Sequence, residues 1–471
     1  MSDFYIPEQG CAVNSYMMRS IFVGVALLFN FHCFSQTLTA QQALEDLNTL
    51  QRNLRDFHPG FYRYTTENSM AYYFKMAQKR VKKSQKVTDL YKEVTHLLSK
   101  VRCGHTRPSL PRAANDAFKA DQPFLPIAVK YLSKRLFIER TYQNGELERG
   151  DEILSINGKS TVVITKDIFE HLSADGFIEA GKYRLTERYF RYYYQLYIAP
   201  DTDRYRLKVK KLDGREVEVS LMGEAWEALE SLDPPAAERA VLRLEHREGY
   251  SYMKISTFVS YYLNGAGLDY EDFLESSFAE LKEKGSKHLI LDLRGNGGGD
   301  DNYGALLVSY FAKAPFRYFE RIEVTDQYEG YGEIEKQEGR RLMTSHKGLS
   351  IWQPQSNRFE GKVYVLTDGR SFSTCADVST ILHHHGWATL VGEETGGGYD
   401  GNTSGYSKTL RLPNSKITVN LPMWMYTTAN IGHEYYGRGA IPHVPITQTV
   451  EDYLKDKDVV MEKAKALISE N

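Results

Sequence analysis

A chain of 471 residues is too long for one ordinary core, so two or three domains are expected. With 42% apolar and 25% charged residues, it has the composition of a soluble globular protein. The 59 basic and 61 acidic residues leave a net charge of −2, which gives no support to nucleic-acid binding or to electrostatic docking on a membrane. Tyrosine is abundant, at 33, and suits rims and clefts because one end is apolar and the other hydrogen-bonds.

The first element in chain order is the apolar stretch "MMRSIFVGVALLFNFHCFSQ". Arg19 supplies a positive start, Ile21 to Phe31 an apolar run, and Ser35 and Gln36 a small polar end. The run is short for a membrane span and reads as an export signal over residues 1–36, with initiation at Met17 or Met18. An uncleaved anchor is the alternative. Cys33 does not read as a lipidation site, because "FHC" lacks the small residue such sites want. The expectation is therefore an exported protein, periplasmic or extracellular, with no integral span once the signal is removed. Cleavage near Ser35 leaves Cys103 and Cys375 of the four cysteines. Their spacing suggests no metal site, and no cofactor is expected.

The segment 37–120 reads as helical. Ala43, Leu47, Leu50 and Leu54 fall at helical spacing, Thr39 is a candidate N-cap and His58-Pro59-Gly60 a stop. Two further helices are predicted at about Ser69–Lys83 and Val87–Lys100. "VRCGHTRPSLP" then has turn chemistry with a histidine inside it. Residues 121–222 read as a small β-domain. "FLPIAVKYLSKRLFIERTY" gives two strands, "GDEILSINGKS" a strand into an Asn-Gly turn, Thr165–Ser173 a helix, and "DRYRLKVKKLDGREVEVSLM" a hairpin turning at Asp213-Gly214. This block resembles a PDZ domain, in which a peptide end adds as a strand beside a sheet edge; the aromatic stretch "FRYYYQLY" is a candidate to fill that groove.

From about Arg243 the pattern alternates strand and helix. "GYSYMKIST", "KHLILDLRG", "KVYVLTDG" and "ATLVGEETGGG" read as strands. "DYEDFLESSFAELKEKG", "NYGALLVSYFA" and "SFSTCADVSTILHHHG" read as helices. Residues 223–455 are thus expected to form an α/β core with a largely parallel sheet, followed by a C-terminal helix over 456–471. The polar, aromatic stretch Ala314 to Gly361 breaks the rhythm and reads as an insertion over a cleft.

Two strand ends carry the chemistry. In "LDLRGNGGGDDNYG", glycines let backbone N–H groups converge without side chains in the way, which suits an anion or a developing oxyanion. The Gly-Lys-Ser/Thr ending of a phosphate loop is absent. In "TDGRSFSTCAD", a hydroxyl lies between a strand end and a helix start, where an exposed nucleophile belongs. Ser371, Ser373 and Thr374 are all candidates, and Ser371 fits equally well as an N-cap.

"LILDLRGNGGG", "VYVLTDGRSFSTCADV" and "ATLVGEETGGG" together resemble the carboxy-terminal processing (tail-specific) peptidase family of serine peptidases. The likeness spans most of residues 90–450 and extends to the pairing of a PDZ-like domain with an α/β core. In that family the nucleophile lies a fixed distance before a Gly-Glu pair, and setting Gly392-Glu393 on that pair implies Ser373. Many members carry a lysine base in the next loop, but the matching position here is Gly398. The tricorn-like branch instead uses a histidine from the N-terminal region and a later glutamate, which implies His105 in "CGHTRPSL" and Glu434 in "HEYYGRGAIPHVPI". The resemblance implies an oxyanion hole from the N–H groups of Gly298 and Thr374, with Gly297 as an alternative. Two further departures are Ala376, where the family usually has a carboxylate that Asp377 replaces, and His443, where it has an aspartate.

The expected function is that of an exported serine endopeptidase acting on peptides or proteins, near carboxyl ends. The alternative is a non-catalytic binding module on the same fold, and the discriminator is whether His105 and Ser373 meet. If they do, Cys103 and Cys375 flank one small volume; two buried thiols are favoured there over a disulfide. His383 to His385 read as a solvated run, because consecutive helical residues point different ways.

Overall fold

A computed structural model describes residues 37–470 apart from 144, 200–201, 236–239, 430 and 433–434. The export signal lies outside the described residues, among which no helix is long and apolar enough to cross a membrane.

The N-terminal helices are α1 (Ala40–Phe57), α2 (Glu67–Arg80), α3 (Val87–Val101) and α4 (Arg112–Asp121). Thr39 caps α1 as expected: its hydroxyl accepts the Gln42 N–H, and the Gln42 side chain accepts the Thr39 N–H in return. Ala43, Leu47, Leu50 and Leu54 are fully buried, each leucine contributing roughly 1.5–3 kcal/mol of transfer free energy. These helices share one hydrophobic core with an antiparallel sheet of β1 (Ile127–Leu132), β2 (Arg135–Thr141), β3 (Glu152–Ile156), β4 (Arg204–Lys210) and β5 (Glu216–Met222).

Helix α5 spans Thr161–Phe169, one turn earlier than its apolar pattern suggests. The reason is Ser160, whose hydroxyl accepts the Val163 N–H and starts the helix there. The aromatic stretch after it contains helix α6 (Ala180–Tyr193), which packs against β1. The Glu187 carboxylate of α6 accepts the Tyr131 N–H of β1 at 2.8 Å, so a donor on that strand is already taken. Much of the tyrosine content is core rather than rim: Tyr194, Tyr205, Tyr270, Tyr318, Tyr399 and Tyr426 are fully buried.

The second core surrounds a six-stranded sheet. Strands β6 (Leu242–Arg247) and β7 (Tyr250–Ile255) pair antiparallel. Helix α7 (Tyr270–Glu283) leads to β8 (His288–Asp292), parallel to β7. Helix α8 (Asp301–Ser309) follows β8. A second antiparallel sheet begins with β9 (Phe319–Val324), β10 (Ile334–Gln337) and β11 (Arg340–Met343). The first sheet resumes with β12 (Lys362–Thr367), helix α9 (Thr374–His384) and β13 (Thr389–Gly392). The second is completed by β14 (Thr403–Arg411) and β15 (Thr418–Thr428). A short β16 (Val444–Pro445) ends the first sheet, whose strands from β7 onward are all parallel. The α/β class with a largely parallel sheet is therefore observed. Helix α10 (Val459–Ser469) covers the sheet's other face through Ala464, against Ile290, Tyr364, Leu366 and Val391.

The Ala314–Gly361 segment is thus not an irregular flap, because three of its strands join the hairpin of β14 and β15. That hairpin also reaches the N-terminal region. Its turn is held by buried Asp46 of α1, which accepts the Asn414 and Ser415 N–H groups at 2.9 and 2.8 Å. Its strand β15 pairs with Pro108 and Ser109, just beyond the histidine turn.

Candidate active site

Strand β12 ends at Thr367, and the chain turns through Asp368–Phe372 before α9 begins. Ser373 stands at the start of that helix with φ +55° and ψ −133°, a conformation that costs a non-glycine residue about 1–3 kcal/mol. The neighbours separate the three candidate hydroxyls. Ser371 is buried and donates to the Leu293 carbonyl at 3.0 Å. Thr374 donates to the Gly299 carbonyl and the Asp301 carboxylate, at 2.9 and 2.8 Å. Only Ser373 faces a base, with its Oγ 3.0 Å from His105 Nε2.

His105 is held from several sides. The Asn420 side chain of β15 donates to its carbonyl at 3.0 Å, and the Asn420 N–H donates to the Arg107 carbonyl at 2.9 Å. Arg107 in turn donates to the Gly104 carbonyl at 2.6 Å. The imidazole stacks on Phe372, the residue before the serine, with ring centroids 4.5 Å apart. A side chain at Gly104 would meet that Phe372 ring at 2.8 Å, so glycine is required for the stack. The residue is half-buried, but its Nδ1 is sealed from solvent and has no hydrogen-bond partner among the described residues. Burial first, then Arg107 and His58, push His105 down to about 3. The ring is therefore neutral, with a lone pair available, over the ordinary pH range.

Asp175 lies beside this turn. It is buried, accepts the Gly104 N–H at 2.7 Å through Oδ1, and its Oδ2 makes no close hydrogen bond among the described residues. Burial raises it to about 6, against the opposing effects of the Gly104 N–H, Arg63, the Gly398 N–H and Arg107. One ligand-type atom each of Cys103, His105 and Asp175 lie within 4.8 Å of one another. Cys103 is occupied, however: its thiol donates to the Thr403 carbonyl at 3.2 Å, and burial pushes it up to about 12.

The glycine loop after β8 approaches the serine closely. A Cβ on Gly298, where φ is +93°, would fall 2.6 Å from Ser373 Cβ and 3.0 Å from Thr374 N. The Gly298 N–H itself donates to Asn296 Oδ1 at 2.9 Å. Gly297 faces open space, with nothing within 4 Å of its Cβ position. Thr374, first in α9, has no carbonyl one turn earlier for its N–H.

The Gly-Glu pair ending β13 has a structural use. Glu393 accepts from Arg184 of α6 through both carboxylate oxygens and from the Gly369 N–H, tying the helix that packs on β1 to the nucleophile turn. At Gly398 a Cβ would meet the Gly401 carbonyl at 2.6 Å and lie 3.8 Å from Asp175 Cβ. Ala376 packs where a Cβ on Gly397 would fall, 2.6 Å away, and Asp377 is held by Asn402 at 3.4 Å. His443 accepts the Leu390 N–H at 3.0 Å, a role in the turn rather than at the serine. Glu434 lies outside the described residues. Cys103 and Cys375 are buried free thiols, and Cys375 donates to the Leu293 carbonyl at 3.6 Å. Asp175, Phe372 and Asn420 were missed from sequence: "SADGF" and "TVNLP" look like an ordinary turn and strand.

A serine on a strained strand-to-helix turn beside a neutral imidazole is the arrangement of a serine-type hydrolase. Comparison with known families finds a match to peptidase family S41 over residues 249–446. Its fold is that of mature CPAF, with a TM-score of 0.63, 15% identity, and coverage of 92% of this chain and 98% of that one. Mature CPAF complexed with lactacystin gives 0.65, 16%, 92% and 99%. The photosystem II D1 C-terminal processing protease matches at 0.40 and 14%, covering 86% and 93%.

Proposed function

We propose that the protein is an exported endopeptidase that cuts peptides by acyl transfer, with Ser373 as nucleophile and His105 as general base. The observation that carries this reading is the 3.0 Å approach of His105 Nε2 to Ser373 Oγ, made by residues far apart in sequence. Ser373 Oγ attacks the peptide carbonyl and gives its proton to Nε2. The imidazolium returns that proton to the leaving amine, and a water activated the same way releases the acyl group. The N–H groups of Thr374 and of Gly297 or Gly298 stabilise the oxyanion; use of Gly298 requires it to exchange Asn296 Oδ1 for the substrate. Glu434 is the proposed acidic residue that orients or polarises this system.

The antiparallel sheet of β1–β5 is a PDZ-like module that admits an extended substrate and favours a free carboxyl end. Since α6 lies along β1, entry by strand addition there requires α6 to shift. Reading residues 1–36 as an export signal supports a periplasmic or extracellular enzyme. A non-catalytic binding role gives no reason for a strained serine to face an imidazole.

The test combines a fluorophosphonate probe with a peptide-turnover assay on the purified chain. Labelling and turnover should both vanish in Ser373→Ala and fall about a hundredfold or more in His105→Ala. Turnover at the wild-type rate in folded Ser373→Ala would reject the reading. Faster cleavage of a peptide with a free carboxyl end than of its amide supports carboxyl-end recognition, and equal rates oppose it.

A further inference from the structure

His105 uses one ring nitrogen on Ser373 and leaves the other, Nδ1, buried and without a hydrogen-bond partner among the described residues. A buried polar atom without a partner costs roughly 1–3 kcal/mol, so its neighbours are informative. Asp175 Oδ2 likewise makes no close hydrogen bond among the described residues, although the Gly398 N–H acts on this carboxylate. A ring nitrogen of His105 and a carboxylate oxygen of Asp175 lie within 4.8 Å of each other, although no direct bond joins them. One bridging water spans such a gap, and a small rotation of ring or carboxylate closes it.

We propose that Asp175 is the positioning carboxylate of His105: it receives the Nδ1–H, directly or through one water, and so holds the ring in the tautomer that leaves Nε2 free to take the serine proton. This rests on the Ser373–His105 reading and deepens it. In the attack step the proton leaves Ser373 Oγ for Nε2 as Oγ bonds to the carbonyl carbon. The ring becomes a cation, and an ionised Asp175 stabilises it without itself taking the proton.

Three observations support this role. Asp175 is anchored independently of the histidine, by the Gly104 N–H at 2.7 Å, so its position does not depend on the ring. Arg63 and Arg107 face it and favour the anion, while Cys103, Tyr64 and Asp377 also lie within its field, the last as an opposing charge. A Cβ at Gly398 would lie 3.8 Å from Asp175 Cβ, so this carboxylate borders the loop whose Gly396 N–H donates to the Ser371 carbonyl of the nucleophile turn.

Titration gives the proposal a readout that a merely structural residue would not move. Asp175 is raised to about 6, so it is ionised above that pH and loses its charge below it. His105, held down at about 3, does not change charge in that window. The acid limb of turnover should therefore fall near pH 6 and belong to the carboxylate.

The experiment compares wild type, Asp175→Asn, Asp175→Glu, Ser373→Ala and Glu434→Gln as full chains, with kcat, KM and fluorophosphonate labelling measured from pH 5 to 9. Asp175→Asn keeps an acceptor for Gly104. It should retain its fold and KM, lose about a hundredfold or more in kcat, and lose the acid limb; Asp175→Glu should restore part of the rate. Asp175→Asn within threefold of wild type, or with the acid limb intact, overturns the proposal, as does a loss confined to KM. If Asp175→Asn does not fold, proton NMR of the wild-type phosphonate adduct decides: a low-field signal from a shared Nδ1–H is expected, and its absence overturns the assignment. An inactive Ser373→Ala beside a fully active Asp175→Asn rejects Asp175 alone, whereas an active Ser373→Ala rejects the underlying reading.

Discussion

Gly298→Ala is a sharp test of how the nucleophile is held. The added Cβ would stand 2.6 Å from Ser373 Cβ, 2.7 Å from the Phe372 carbonyl oxygen and 3.0 Å from Thr374 N. All three belong to the nucleophile turn or its first helical residue, so no flexible side-chain end can swing away. Ordinary contact begins at 3.4 Å, so the turn must retreat by about 0.8 Å. The residue also sits at φ +93°, where a Cβ adds about 1–2 kcal/mol of backbone strain. Crowding adds about 1–3 kcal/mol, for a total destabilisation of about 2–5 kcal/mol. A displacement near 1 Å of a reacting group costs on the order of a hundredfold in rate. The expected result is a folded protein with a lower melting temperature, kcat reduced about a hundredfold and fluorophosphonate labelling slowed in parallel. Wild-type kcat in a folded Gly298→Ala protein would refute the argument that this loop fixes Ser373.

Three other outcomes follow from the same geometry. Ser371→Ala removes the bond to the Leu293 carbonyl and should cost about 1–3 kcal/mol in a denaturant titration while the folded protein still labels at Ser373. Arg184→Met leaves Glu393 without its bidentate partner; because that carboxylate is partly exposed, the loss should be about 1–3 kcal/mol, read as a lower melting temperature. His58 is buried and pushed down to about 4, whereas in the unfolded chain it titrates near 6.5, so its contribution is complete above pH 6.5 and lost as pH falls. The loss reaches about 3 kcal/mol by pH 4, and the stability difference between wild type and His58→Gln should change by that amount between pH 7 and 4; a difference independent of pH would contradict it.

Local chemistry accounts for what could be read from the chain alone. The capping box of α1, the buried run of β8, the two glycine-bearing strand ends and the Asp-Gly hairpin turn are signals carried by neighbouring residues, and each produces its element regardless of the rest of the fold. The serine turn was legible for the same reason, and the family register singled out Ser373 where residue chemistry left three hydroxyls open. The extent of α5 was misjudged because one hydroxyl, Ser160, outweighed the apolar period. Helix α6 and strands β9–β11 were not seen because aromatic or polar surfaces mask their periodicity, and β9 pairs with β15 far along the chain.

The site shows the same division. Sequence supplied a histidine in a turn and a serine at a strand end, but their meeting depends on a three-part arrangement that no local pattern encodes. Asp46 of α1 holds the hairpin turn, the hairpin's strand pairs with Pro108 and Ser109, and Asn420 on that strand grips the histidine turn. Asp175 is the extreme case, an aspartate in a plain "ADG" turn whose raised pKa comes from burial and whose place beside His105 comes from packing. Covalent neighbours determine caps, turns and strand ends; long-range packing alone determines which two loops face each other and which carboxylate is sealed between them.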